Sequence, residues 1–533
     1  MTTITPNKFT SVVRGDFSGG VNYFYGSRQI ADNESPDAIN CDFKGKTGVG
    51  NRSGYTQVGA VADSRTKVFG LDEYHTASLD QIVKWVSNGS TIIPYHSAGG
   101  AWTAGTGNTF SDNLNIDTVQ AFIAAASPTP GTPVSTDGYL FTFNGTDAMS
   151  KFDGTTVTTH TGGTKGFYGA YYDRRLWCVD EQYQDVVNFS TQTPDATKCL
   201  DFTANGTSSN PGTIVFRPGS GEKVTGLVNF KNALYVFLRD AIFRVTTTST
   251  ANTYQIELVT NAIGCISSRS VCQCEEDIMF ASSDGIYSLG DVANYLYVRT
   301  TNKSTKIQQI FNTISSTNKT KLVGKYYNFK YYLFYSLYGT QNDSCAVYDV
   351  RYKAWQDWRN MSVNDATLFT TSSNDTCLYF GEVSTGKVHK MTGTTDDGTA
   401  ISSYWNSKSY TENMSDTLKF YFDTTFSMGA LNGTVTFYVI FDDTIISQPV
   451  TLSQNKPQGG FGRDTYGLMA FGDETNTVTV TQVVNKPIRL KAKGKNFSIQ
   501  YKIMSTGDWR LDSISQYVSI FEHFVFNGGI KLN

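Results

Sequence analysis

The stretch EEDIMFASSDGIYSL at 275–289 decides the fold of this chain. It reads as apolar alternation, a turn, Asp-Gly, and then a short strand that carries a tyrosine. The same rhythm returns in FKNALYVFLRDAIFRV at 230–245, with Arg-Asp in the turn, and in TDGYLFTFNGTDAMSKFDG at 136–154. Alternation with period two marks half-buried strands, and tight turns between them mark hairpins. Hairpins repeated at about 40–45 residues are the signature of four-stranded propeller blades.

Working outward, seven blades are expected between 64 and 395, at 64–105, 118–163, 166–215, 221–260, 264–310, 320–360 and 363–395. The sixth is a long hairpin, KYYNFKYYLFYSL at 325–337 followed by CAVYDVRYKAWQDW at 345–358. Residues 1–63 read as a lead-in arm, rich in turn formers and poor in apolar repeats. Beyond 396 the strands lengthen: SSYWNSKSY at 402–410, TLKFYFDT at 417–424, GTVTFYVIF at 433–441 and PIRLKAKGKNFSIQYKI at 487–503. They predict a C-terminal antiparallel β-sandwich over 396–533. The expected fold class is therefore all-β: an N-terminal arm over 1–63, a propeller over 64–395 and the sandwich. Helix is scarce, with modest periodicity only around 302–315.

Composition agrees. With 533 residues, more than one core is expected. Aromatics are 14% and charged residues only 17%, so β-branched, aromatic and uncharged polar side chains dominate, which favours strands. Lys+Arg is 44 and Asp+Glu is 47, a net charge of −3, which excludes a basic nucleic-acid-binding stripe. The N-terminus lacks the basic and apolar regions of a secretory signal, and no apolar run is long enough to span a membrane. The eight cysteines are scattered and read as free thiols.

Motifs of catalysis and ligation are sparse. The Gly-rich segment 457–472 lacks the spacing of a dinucleotide or phosphate loop and reads as an interface loop. Cys272 and Cys274 would share one face of a strand, but no second Cys/His pair completes a metal site, so buried small apolar residues describe them better. His75, His96, His160, His389 and His523 fall in no zinc or hydrolase motif. Asp-Gly at 137–138, 153–154, 284–285 and 397–398 fits hairpin turns better than calcium loops. The aromatic run Tyr326–Tyr338 with Trp355 and Trp358 is a sugar platform or, more simply, packing between blades. No catalytic, cofactor-binding or metal-binding residue is assigned, no cofactor is implied, and the chain is read as a non-enzyme.

Several phrases, taken together and in order, resemble tail proteins of tailed bacteriophages. FSGGVN at 17–22, DNESPDAINCDF at 32–43 and NRSGY at 51–55 resemble the N-terminal stretch of that family. YDRRLWCV with VVNFS (172–190), GCISSRSV with DIMFASSDGIYSL (264–289) and GKNFSIQYKI with WRLDSISQYV (494–518) resemble its blades and closing strands. The resemblance implies a virion structural protein made in the host cytoplasm: the propeller-bearing nozzle or hub of a short-tailed phage. Six copies would form a ring-shaped conduit that retains the packaged genome and passes DNA transiently and non-specifically during ejection. Its partners would be the adaptor or portal side above and fibres or a needle below, with no membrane span. The alternative from another class is a tail-tip propeller that binds a receptor or processes glycans, which would need carboxylates and aromatics gathered at the propeller mouth.

Overall fold

Two-residue turns set the pattern of the first unit. Asp173 with Arg174, Lys231 with Asn232, and Asn328 with Phe329 hold φ between 45° and 62°. Such paired left-handed residues match the twist of the strands they join and close a hairpin without slack. Each joins the innermost strand of a blade to the second: Gly166–Tyr172 to Arg175–Asp180, Val224–Phe230 to Ala233–Leu238, and Val323–Tyr327 to Lys330–Tyr335. The structure, a computed structural model, describes residues 10–520 except 45–47, 60–66, 77–78, 125–135, 160–163, 192–201, 203–210, 251–252, 291–301, 446–449, 454–486 and 491–493.

The chain forms two units. One holds residues 55–351 and 358–392, the other residues 1–54, 352–357 and 393–533. The first is a seven-bladed propeller. Its inner strands, in blade order, are Val68–His75, Asp117–Ala124, Gly166–Tyr172, Val224–Phe230, Cys272–Cys274, Val323–Tyr327 and Asp365–Thr370. Blade five shows three strands among the described residues. The strand Ala354–Arg359 is shared between the two units.

The ring closes through a strand from the start of the chain. Tyr55–Gln57 pairs antiparallel with Val388–Met391 and supplies the outer strand of blade seven. Neighbouring blades are sealed by apolar side chains. Trp177 and Phe189 of blade three pack with Val236 and Val245 of blade four, and Phe237 of blade four packs with Phe280 and Tyr287 of blade five. Blades seven and one share Phe369, Tyr379, Val68 and Val86. Full burial of one such side chain is worth roughly 1.5–3 kcal/mol.

The second unit is one eleven-stranded sheet built on two long strands, Lys419–Phe441 and Ile499–Ile520, paired antiparallel. Inward and outward residues alternate along Ile499–Ile520, and the phase flips between Leu511 and Ile514. The register skips Asp512 on one strand and Gly429 on the other at this point, so bulges re-aim the side chains and bend the sheet. Residues from the start of the chain are strands of this sheet: Thr10–Arg14 pairs with Ile514–Val518, Asp37–Ile39 with Tyr404–Asn406, and Val49–Gly50 with Arg510–Leu511.

Of the helix expected around 302–315, the structure shows a 3-10 turn at Thr305–Ile307 and short helices Gln308–Thr313 and Ser316–Lys319. No helix of the described residues is long and apolar enough to cross a membrane.

Candidate functional site

Six of the seven blades send a polar side chain towards the propeller axis. Asp72 lies within the first inner strand and Asp117 opens the second; Tyr168, Lys325 and Asp365 belong to the third, sixth and seventh. Arg269 comes from the 3-10 turn Ser268–Ser270 that precedes the strand of blade five. Lys325 feels Asp72, Asp365 and Asp117, while Asp117 feels Asp365, Arg269 and Lys325. Side chains from blades this far apart in the ring reach one another only at the axis.

Hydrogen bonds turn the cluster into stitching. The Asp365 carboxylate accepts from Leu71 N of blade one at 2.9 Å and from Ala366 N at 2.9 Å. Asp117 accepts from Gly169 N of blade three at 3.0 Å. Arg269 donates from Nη1 to the carbonyl of Asn364 at 2.7 Å, joining blades five and seven, which are not neighbours. Asn364 Nδ2 in turn donates to the Val68 carbonyl of blade one at 2.6 Å.

Enclosure shifts these groups. Burial pushes the Asp72 carboxyl up to about 8, with Lys325 opposing and Asp365 and Asp117 reinforcing. Asp117 is pushed up to about 7 by burial, against the hydrogen bond from Gly169. Burial would lower Lys325, but Asp72 and Asp365 outweigh it and raise it. Burial also raises the Tyr168 phenol. Asp72, Asp117 and Lys325 are half-buried. A carboxyl titrating near neutrality can donate or accept a proton.

The phrases of the N-terminal stretch make a second constellation, inside the sheet unit. Phe17 sets its ring edge-on against Trp405, with centroids 5.3 Å apart. Gly20 takes φ +68°, and a Cβ there would lie 2.4 Å from the carbonyl oxygen of Trp355. Asn22 Nδ2 donates to Glu34 Oε2 at 2.9 Å, and the same oxygen accepts from Ala31 N at 2.9 Å. Asn40, at φ 56°, donates to the Ser402 carbonyl at 2.8 Å and accepts from Arg52 Nε at 3.0 Å. The Arg52 guanidinium, fully buried, grips Asp396 with two hydrogen bonds of 2.9 and 2.6 Å and donates to the Ser53 carbonyl at 2.9 Å.

Cys274 is buried and Cys272 partly so, both free thiols on one short strand. Among the described residues, no three His, Cys, Asp or Glu side chains form a metal-binding group. His389 is buried, with Nε2 2.9 Å from Glu382 Oε1 and its ring stacked on Phe380. His75 is exposed beside Asp80, and His96 is lowered by burial. His160, His523 and the 457–472 segment lie outside the described residues. Asp153 caps its turn by accepting from Thr155 N and Thr156 N, and Asp397-Gly398 takes φ 47° and 83°. Asp137-Gly138 instead lies within the strand Thr136–Phe143, not in a turn. Trp355 and Trp358 are buried and Tyr332 packs edge-on to Trp358, so they are packing and not a platform; of that run Phe329 and Tyr338 are exposed. The axial cluster was not singled out from sequence. The available signal was a charge set in an apolar inner strand, as in VFGLDEY at 68–74 and VGKYY at 323–327.

Fold and site together define an all-β protein: a seven-bladed propeller with a charged axis, and a second unit of one bent antiparallel sheet. No family model matches the sequence, and no curated protein matches it. Among solved structures, the chain is similar to the extracellular domain of a putative one-component system from B. thetaiotaomicron, with TM-score 0.38 and 8% identity over 80% of this chain. It spans about half, 51%, of that protein. It is similar to an exo-beta-1,3-galactanase from Phanerochaete chrysosporium, with TM-score 0.23 and 9% identity over 88% of this chain and 100% of that one. It is also similar to the Pan2 WD40 domain of Neurospora crassa, with TM-score 0.31 and 6% identity over 65% and 98% of the two chains. Likeness at this level carries no functional argument.

Proposed function

We propose that this chain is a structural protein of a bacteriophage tail, a nozzle or hub whose copies assemble into a ring-shaped conduit in the virion. The observation that carries the reading is how the residues of the phage-like phrases are used. Gly20, Asn22, Glu34, Asn40 and Arg52 all serve as architecture within the sheet unit, through a close backbone approach, buried hydrogen bonds and a buried ion pair. That is the expected use of a signature in a family that has no chemistry to preserve. The uncharged polar surface suits subunit contacts, and heterologous contacts around a rotation axis close a ring. A near-neutral chain lets DNA slide past without the phosphate grip that rows of Lys and Arg would give. Six copies, an adaptor above and fibres or a needle below complete the proposal. Electron microscopy of the purified chain and of virions tests it: a six-fold ring with an axial channel is the expected image, and a monomer at the tail periphery would refute it.

A second reading is favoured by one observation, the raised carboxyls Asp72 and Asp117 in one enclosed cluster with Asp365. A propeller that cleaves glycosidic bonds needs one carboxyl held protonated near neutral pH beside one that is ionised. Release of reducing sugar from host polysaccharide, lost in Asp72→Asn, would establish it; no release by the native protein would remove it.

A further inference from the structure

The strand Cys272–Cys274 sets two free thiols on one face of the inner strand of blade five, with Gln273 exposed between them. Neither reading of function uses them. We propose that the pair is a thiol–disulfide exchange site: Cys272 attacks a small-molecule disulfide, and Cys274 then closes an internal disulfide that a thiol can reopen.

Access and reactivity single out Cys272. Among the described residues seven cysteines carry free thiols, and only Cys272 is not buried. Burial pushes the Cys178 and Cys265 thiols up to about 12 and raises Cys41 well above its usual value. Cys272 goes the other way. Its sulfur accepts a hydrogen bond from the Cys274 thiol and feels Lys325 of blade six; with the Tyr326 backbone, these hold it below the usual thiol value against burial. The same hydrogen bond, reinforced by burial, raises Cys274. A lowered, accessible thiol near a cation is the attacking kind, and its enclosed neighbour is placed to resolve the adduct.

The backbone permits closure. The Cys274 sulfur lies 3.6 Å from the Cys272 carbonyl oxygen, leaning back towards its neighbour. Residues two apart on an extended strand have Cα atoms about 6.6 Å apart, near the long end of the roughly 4.4–6.8 Å that disulfides bridge. The strand is three residues long, pairs on one side only among the described residues, and is followed by Glu275 at φ 56°, so little regular structure resists the bend. A bond closed at that stretch is strained and easily reduced, which makes the exchange reversible. In the first step the Cys272 thiolate attacks one sulfur of the reagent and expels the other as a thiolate. In the second the Cys274 thiolate attacks the Cys272 sulfur of the mixed disulfide and expels the remaining half. Two protein thiols become one disulfide, the reagent is reduced to two thiols, and the two protons lost by the protein pass to the expelled thiolates.

The test uses the full chain, reduced and then exposed to oxidised glutathione, with intact mass and peptide mapping after an acid quench. The expected product is lighter by two hydrogen atoms, has a disulfide joining Cys272 to Cys274, and returns to the dithiol when reduced glutathione is added. Cys274→Ser should stop at a glutathione adduct on Cys272, and Cys272→Ser should slow reaction at this strand about ten-fold or more. Brief alkylation of the reduced native chain with iodoacetamide gives a reading that needs no variant: Cys272 should react about ten-fold or more faster than the buried cysteines. The proposal is overturned if the native chain keeps both thiols, if it stops at an adduct on Cys272, or if the buried cysteines react as fast. Ring formation by the reduced sample, seen by electron microscopy, reads the conduit proposal separately.

Discussion

Arg52→Met is the sharpest perturbation of the buried signature. The methionine fills most of the arginine's stem volume but removes hydrogen bonds to Asn40, Ser53 and both oxygens of Asp396. Asp396, whose side chain is 15% exposed, would be left as a nearly buried carboxylate without its counterion. Breaking a buried pair by removing one partner costs about 3–5 kcal/mol, whereas replacing both partners with apolar groups is often close to neutral. Arg52→Met should therefore destabilise the sheet unit by about 3–5 kcal/mol. Asp396→Leu alone should cost as much, because it strands the arginine. The double variant should recover at least about 2 kcal/mol of the summed loss, the size of coupling found between contacting residues. Urea unfolding, followed by hydrogen exchange of Ser402–Asn406 and Ile499–Leu511, measures these terms for the sheet unit separately from the propeller. A loss below about 1 kcal/mol for Arg52→Met, or strict additivity in the cycle, would refute the claim that this signature is architectural.

Three further outcomes follow from other parts of the molecule. Trp509 is fully buried and donates from Nε1 to Ser403 Oγ at 2.9 Å, so Trp509→Ala should cost about 3–5 kcal/mol and impair ring assembly before any activity changes; normal rings and infectious particles would count against it. Gly20→Ala should cost about 2 kcal/mol or more, from a left-handed φ and a clash with Trp355, with circular-dichroism melting as the check. Asp72 and Asp117 are held at about 8 and 7 when folded, against about 3.9 in an unfolded chain. From about pH 4 upwards the unfolded state gives up protons that the folded propeller keeps, so their contribution to stability is full at low pH and is lost as pH rises to about 8. Asp72→Asn should thus gain about 1–3 kcal/mol relative to the native chain on going from pH 5 to pH 8, and an unchanged difference between the two would refute the assignment.

The propeller was legible because its signals are local. The Arg239-Asp240 turn between ALYVFL and AIFRV marks a hairpin by itself, and such hairpins recur at a steady spacing. The fate of the first 54 residues was not legible for the opposite reason. Their strands run two to five residues and pair with partners hundreds of positions away, as Asp37–Ile39 does with Tyr404–Asn406 and Thr10–Arg14 with Ile514–Val518. Segments that short carry no periodicity, so a turn-rich arm is all that composition shows. The closing role of Tyr55–Gln57 was hidden by the same distance from Val388–Met391. The axial cluster draws Asp72, Asp117, Lys325 and Asp365 from four blades, and no spacing along the chain relates them; only the closed ring brings them together. For Trp355 and Trp358 the simpler expectation, packing, is the one their burial shows, although a tryptophan reads alike in sequence whether it faces solvent or a core.

The most direct test of the central claim is the oligomeric state and position of the protein, imaged by cryo-electron microscopy of the purified chain and of virions. The account predicts a ring of six around an axial channel at the portal-distal end of a phage tail. A monomer or trimer projecting from the tail periphery, or no virion containing the chain at all, would contradict it.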